Sequence, residues 1–140
     1  MDRLFSGWRL ATPKGSSPDG EPYAFLGPEP GKTLFESIEQ SDLGDDQTYV
    51  LARRRSAFAV LNVYPYTSGH VMVLPRLAAP SILDLEDDRY DDLWDLVRVA
   101  SRAVQDAFMP DGMNIGINEG SARGGSQPDH LHVHVVPRWN

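Results

Sequence analysis

The sequence has no cysteine, few cations and no long apolar run. Without cysteine there is no disulfide and no thiolate metal site, and the chain suits a reducing, cytoplasmic compartment. Without about eighteen consecutive apolar residues, no membrane-spanning helix is expected. The first residues also lack the basic-then-apolar pattern of a secretory signal. Thirteen Lys and Arg against twenty Asp and Glu leave a net charge of −7, which argues against non-specific binding to nucleic acid. A nucleotide stays open, because a pocket needs only local positive potential.

What is present is the material of one soluble domain, with 140 residues and 41% hydrophobic content, enough for one sizeable core. Glycine and proline concentrate in residues 11–32, from Pro13 and Gly15 to Pro30 and Gly31. That density leaves little room for regular structure. Residues 1–32 are therefore expected to form an irregular N-terminal arm, and residues 33–140 the domain.

Thr33 to Ile38 reads as a short helical piece. Thr48–Ala52 and Ser56–Leu61 read as strands joined near Arg53-Arg54-Arg55, a basic triplet better explained as a solvated hairpin tip than as a phosphate clamp. His70–Leu74 is the next strand. Between Asp87 and Phe108, Tyr90, Leu93, Trp94, Val97, Ala100, Val104, Ala107 and Phe108 recur at three- and four-residue intervals, predicting one long amphipathic helix. Asp84, Glu86, Asp87 and Asp88 suit the positive end of its dipole and read as a solvated start rather than a metal site. Met109-Pro110-Asp111-Gly112 stops the helix and turns the chain into a strand at Met113–Asn118.

Three of the four histidines stand near the C-terminus, where His130, His132 and His134 alternate with Leu131, Val133 and Val135. Alternation predicts a half-buried strand over Asp129–Trp139 with all three imidazoles on one face, about 7 Å apart if regular. Polar strand faces are usually Thr, Lys, Glu or Ser. Imidazoles can instead act as nucleophiles, general acids or metal ligands near neutral pH. Three equally spaced ligands on a straight strand converge poorly on one ion, and Asp129 is the only acidic residue close by. Nucleophilic attack on phosphorus fits better, and it needs a phosphate cradle. Gly120, Gly124 and Gly125 with Ser121 and Ser126 lie just upstream, where backbone N–H groups can converge on an anion and Arg123 adds a cation.

His130-Leu131-His132-Val133-His134-Val135-Val136 resembles the histidine-triad (HIT) signature. Ala57 to Pro75, including Tyr64-Pro65-Tyr66-Thr67-Ser68-Gly69-His70, is similar to the family's nucleoside-pocket segment. Together with His134-Val135-Val136-Pro137-Arg138-Trp139, it looks most like the diadenosine tetraphosphate phosphorylase branch. The resemblance implies an α+β fold: a mostly antiparallel sheet of about five strands with one long helix. It also implies cleavage of dinucleoside polyphosphates at an α-phosphate through a nucleotidyl-histidine intermediate. His132 would be the nucleophile, His134 would contact the scissile phosphate or leaving oxygen, and His130 would orient both. Asn62 would bind the ribose hydroxyls. Asn118, Gly124, Gly125, Ser126 and Gln127 would bind the phosphate, while Asn114 and His70 read as structural. A hydrolase of other nucleotide conjugates, such as phosphoramidates, or a non-catalytic nucleotide-binding domain are the alternatives.

Two departures bear on detail. Gly125-Ser126-Gln127-Pro128 stands where many HIT hydrolases have Gly-Gln-Ser, which leaves water or inorganic phosphate open as acceptor. Thr33 and Glu36 occupy the positions of a Cys-x-x-Cys, and Ala78 that of a histidine, which together hold a structural zinc in many relatives. No structural zinc is therefore expected, and a divalent cation chelated by the substrate is compatible with the sequence, although no protein ligands for one are evident. The resemblance further implies a homodimer, for which an exposed Trp94 or Trp139 would serve.

Overall fold

The computed structural model describes residues 28–63, 67–120 and 128–140. Within them the order is α1 (Leu34–Glu39), a single turn α2 (Asp45–Thr48), β1 (Val50–Arg53), β2 (Ala57–Leu61), β3 (Val71–Pro75), a 3-10 turn (Ile82–Asp84), α3 (Asp87–Phe108), β4 (Gly112–Ile117) and β5 (Val133–Arg138). The five strands form one antiparallel sheet in the order β1-β2-β3-β5-β4. Residues 28–32, the described end of the arm, carry only a turn closed by the Lys32 N–H on the Glu29 carbonyl; residues 1–27 lie outside the described residues.

Two apolar layers sandwich the sheet because its strands are apolar on both faces. One face of Ala57, Ala59, Val71, Val73, Val133 and Val135 packs against Leu93, Leu96, Val97, Ala100 and Val104 of α3. The other face, with Phe58, Val60, Met72 and Leu74, is covered by Phe35 and Ile38 of α1. The register sets Met72 opposite His134, so the histidines share the α1 side of the sheet. This is the decisive placement. The long helix supports the site from behind.

The helix α3 spans Asp87–Phe108 as its periodicity predicts, with Asp87 and Asp88 in its first turn and a left-handed C-cap at Met109. Of the expected stripe, Leu93, Val97, Ala100 and Val104 are buried, Trp94, Ala107 and Phe108 are partly buried and Tyr90 is exposed, while Leu96 joins the buried set. Trp94, expected at the surface, is only partly exposed and packs on the α3 cluster, and its indole N–H is buried without a partner. The expected strand from Thr48 is also corrected. Residues 45–48 form a helical turn and Tyr49 takes φ 64°, which ends that turn and delays β1 to Val50. The sequence pattern was ambiguous there because a short apolar run fits either structure.

The arginine triplet does mark the β1–β2 hairpin, where the Arg54 N–H bonds the Ala57 carbonyl. Arg53 and Arg55 are exposed and Arg54 is half-buried, as a solvated tip requires, and two of the three also pair with carboxylates. Arg53 Nε lies 3.2 Å from Glu39 Oε1, Arg76 Nη2 lies 2.8 Å from the same oxygen, and Arg54 reaches Asp95 at 3.6 Å. Glu39 is 4% exposed. A buried carboxylate needs such partners, and here they tie the end of α1 to β1 and β3.

Candidate active site

The histidine segment is only partly strand. Regular pairing begins at Val133, and His130 to His132 precede it. His130 is fully buried, whereas His132 and His134 are half-buried. The rings of His132 and His134 meet edge to face with centroids 4.8 Å apart, closer than the ~7 Å between same-face neighbours on a regular strand.

Each ring has a neighbour that decides where its proton sits. His132 Nδ1 lies 3.0 Å from the His130 carbonyl. A carbonyl only accepts, so Nδ1 carries the hydrogen and the lone pair of the neutral ring is on Nε2. His130 Nε2 donates in the same way to the Pro75 carbonyl at 2.7 Å, leaving Nδ1 to accept from the Thr33 hydroxyl, also at 2.7 Å. Burial lowers the His130 pKa from its ordinary value, against the opposing pull of the Pro75 bond and the Glu36 charge, so the ring holds a single proton.

His134 Nδ1 is 2.8 Å from His70 Nε2, and His70 Nδ1 is 3.3 Å from the amide nitrogen of Asn62. The amide donates to His70, His70 donates to His134, and the His134 proton then resides on Nε2. Burial, followed by the charges of His134, His132 and Arg138, pushes His70 down to about 3. Burial and His132 lower His134 to about 4. Both rings are neutral at physiological pH.

The Phe35 ring and a glycine beside His134 complete the geometry. Phe35 packs edge-on against His130 at 5.6 Å and tilted against His132 at 5.7 Å. Gly116 faces His134 across β4 and β5. Among the described residues, a Cβ there would meet nothing within 4 Å. The site thus offers the His132 ring, with Nδ1 tied to a carbonyl and Nε2 left for chemistry, next to the N–H donor of His134. That is the equipment for attack on an electrophile whose leaving atom gains negative charge.

The HIT domain family profile matches residues 44–140. The chain belongs to the histidine-triad family. It is 43% identical over 105 residues to a Mycobacterium tuberculosis protein named AP-4-A phosphorylase, covering 75% of this chain and 53% of that one. A Schizosaccharomyces pombe bis(5'-nucleosyl)-tetraphosphatase (asymmetrical) is 36% identical over 89 residues, covering 64% of this chain and 48% of that one. The chain thus spans about half the length of these curated relatives. Among solved structures, a hypothetical histidine triad nucleotide-binding protein from Sulfolobus tokodaii superposes with TM-score 0.69 at 30% identity, covering 77% of this chain and 70% of that one.

Measured against the HIT signature, the fold brings together two hydrogen-bonded groups, His130 with His132 and Asn62 with His134 through His70, which meet where the His132 and His134 rings touch. Asn118 follows Ile117, the partner of Val133, and so stands at the His132 end of the sheet. Asn114 is occupied by Arg138, whose Nε donates to its side-chain oxygen at 2.7 Å. Gly124, Gly125, Ser126 and Gln127 lie outside the described residues. His70, expected as a structural hydrogen-bonding residue, does hydrogen-bond, and one of its partners is a triad ring; the sequence did not indicate which partner.

The zinc set of many HIT proteins does not fit here. Thr33 Oγ1 accepts from the Glu36 N–H at 3.1 Å and Glu36 Oε1 accepts from the Thr33 N–H at 3.2 Å, so both side chains form a capping box for α1. Ala78 has no donor atom. Among the described residues no group of three His, Cys, Asp or Glu is placed to hold a metal ion.

Proposed function

We propose that this HIT protein cleaves dinucleoside polyphosphates such as diadenosine tetraphosphate at an α-phosphate, with His132 as the nucleophile. The observation that carries the reading is the His132 Nδ1–H bond to the His130 carbonyl, which points the reactive lone pair outward. In the first step a bond forms between His132 Nε2 and the α-phosphorus, and the bond from phosphorus to the bridging oxygen breaks. The leaving polyphosphate takes the electron pair, and His134 Nε2–H hydrogen-bonds the oxygen as its charge grows. The resulting cationic nucleotidyl-imidazole is stabilised at Nδ1–H by the His130 carbonyl. An acceptor oxygen then attacks phosphorus, the phosphorus–nitrogen bond breaks, and the acceptor's proton passes to solvent.

The name of the M. tuberculosis relative favours inorganic phosphate as acceptor, releasing a nucleoside diphosphate. The proposal includes no protein-bound cofactor, a divalent cation only if the substrate carries it, and a cytoplasmic setting supported by the lack of cysteine. No helix among the described residues is long and apolar enough to cross a membrane. It also includes a homodimer, supported by exposed Ile115 on the edge strand β4 and exposed Trp139 beyond β5.

The test is product analysis with diadenosine tetraphosphate, with and without phosphate. ADP plus ATP only with phosphate identifies a phosphorylase, and AMP plus ATP regardless of phosphate a hydrolase. His132→Ala is expected to lower turnover by at least about a thousandfold with nucleotide affinity held within a few-fold. Turnover that survives this substitution would eliminate His132 as the nucleophile.

A further inference from the structure

The geometry points to Thr33 as a positioning residue of the triad, its hydroxyl anchoring the His130 imidazole and, through the His130 main chain, the ring of His132. The two residues are 97 positions apart, yet Thr33 Oγ1 lies 2.7 Å from His130 Nδ1. The bond has one possible direction. His130 Nε2 must donate to the Pro75 carbonyl, so Nδ1 accepts, and Thr33 supplies its only hydroxyl hydrogen. The same oxygen accepts the Glu36 N–H, which fixes the rotor from the other side. A continuous chain therefore runs from the Glu36 amide through the Thr33 hydroxyl and the buried His130 ring to the Pro75 carbonyl.

The chain reaches the nucleophile by two routes. The His130 carbonyl accepts from His132 Nδ1 at 3.0 Å, and the next amide, Leu131 N–H, is held by the Ala79 carbonyl at 2.8 Å. Phe35, two residues beyond Thr33 in the sequence, touches both rings. The first turn of α1 thus sets the tautomer of one histidine and the orientation of the next. In relatives with Cys-x-x-Cys at positions 33 and 36, a metal occupies these side chains; here a hydroxyl and a capping box replace it with hydrogen bonds. The catalytic consequence rests on the reading of His132 as nucleophile, while the tautomer of His130 does not.

Three variants separate positioning from mere helix capping. Thr33→Ser keeps the hydroxyl and the cap. Thr33→Asp keeps the cap, since Asp is a good N-cap residue, but its carboxylate has no hydrogen to give Nδ1. Thr33→Val removes both. Long-range nitrogen–proton NMR spectra of the unliganded protein report the imidazole tautomers, and steady-state kinetics with diadenosine tetraphosphate report catalysis. In wild type and Thr33→Ser, His130 is expected as the single Nε2–H tautomer. In Thr33→Asp, His130 takes a second proton on Nδ1 at neutral pH. In both Thr33→Asp and Thr33→Val, kcat falls about tenfold or more while KM stays within about twofold. Wild-type His130 spectra and wild-type kcat in a folded, capped Thr33→Asp protein would overturn the proposal, because capping would then be the whole role of Thr33. If the wild-type chain does not cleave the dinucleotide, the spectra alone decide the anchoring, and the failure belongs to the functional reading.

Discussion

At the scale of single residues, the site keeps His70, His130 and His134 neutral by burial and assigns ring protons through hydrogen-bond partners. His70 shows how this is done. It is 1% exposed and stands between the Asn62 amide and His134, so removing it takes away the N–H that His70 gives His134 Nδ1. His70→Ala is expected to lower kcat by about tenfold, the worth of one well-placed hydrogen bond. It should also raise the His134 pKa from about 4 toward the ordinary histidine value as water enters. His70→Gln, which can still donate to His134, is expected to recover most of the activity. A pH titration of the His134 ring by NMR checks the shift; a pKa unchanged in His70→Ala would mean burial by other groups sets it. The triad residues themselves were legible in the sequence, since alternation puts them on one face. The contribution of His70 was not, because a lone histidine at a strand end carries no periodic signal.

At the scale of elements, the site depends on two short pieces delivered to the sheet from either end. One is α1, brought in by Phe35 and Ile38 in the core and by Glu39 between two arginines. The other is the turn before β3, where Gly69 takes φ +80° and a Cβ would lie 2.9 Å from the Phe108 ring. Only glycine accepts both the left-handed backbone and that contact. Gly69→Ala is therefore expected to cost about 1–3 kcal/mol, read by urea unfolding, and to misplace His70, so that kcat falls along with stability. A variant as stable and active as wild type would show that Phe108 yields freely. The long helix and most strand cores were evident from periods of about 3.6 and 2. Tyr49 was not, since its positive φ is a tertiary outcome that its residue type does not announce.

At the scale of the whole molecule, three buried or half-buried histidines with lowered pKa link folding to pH. A lowered folded pKa means the unfolded chain binds more protons than the folded one between the two values. For His70 and His134 that window runs from about 3 or 4 to the ordinary value near 6.5. Their stabilising contribution is complete above that value and is lost as pH falls through the window, by up to about 1.4 kcal/mol per pH unit for each group. Unfolding midpoints in urea at pH 7, 6 and 5 are expected to fall monotonically. A flat profile would mean that these rings gain protons in the folded state as readily as in the unfolded one. The sequence by itself determined the family, the three triad histidines, the helix behind the site and the face that carries the histidines, because these follow from local periodicity and a contiguous motif. Only the tertiary structure decided that His70 backs His134, that Thr33 holds His130 across 97 residues, and that each imidazole keeps its proton on one nitrogen. Proton placement depends on which atom lies within 3 Å of each ring, and that is set by strand register and helix docking rather than by any stretch of chain.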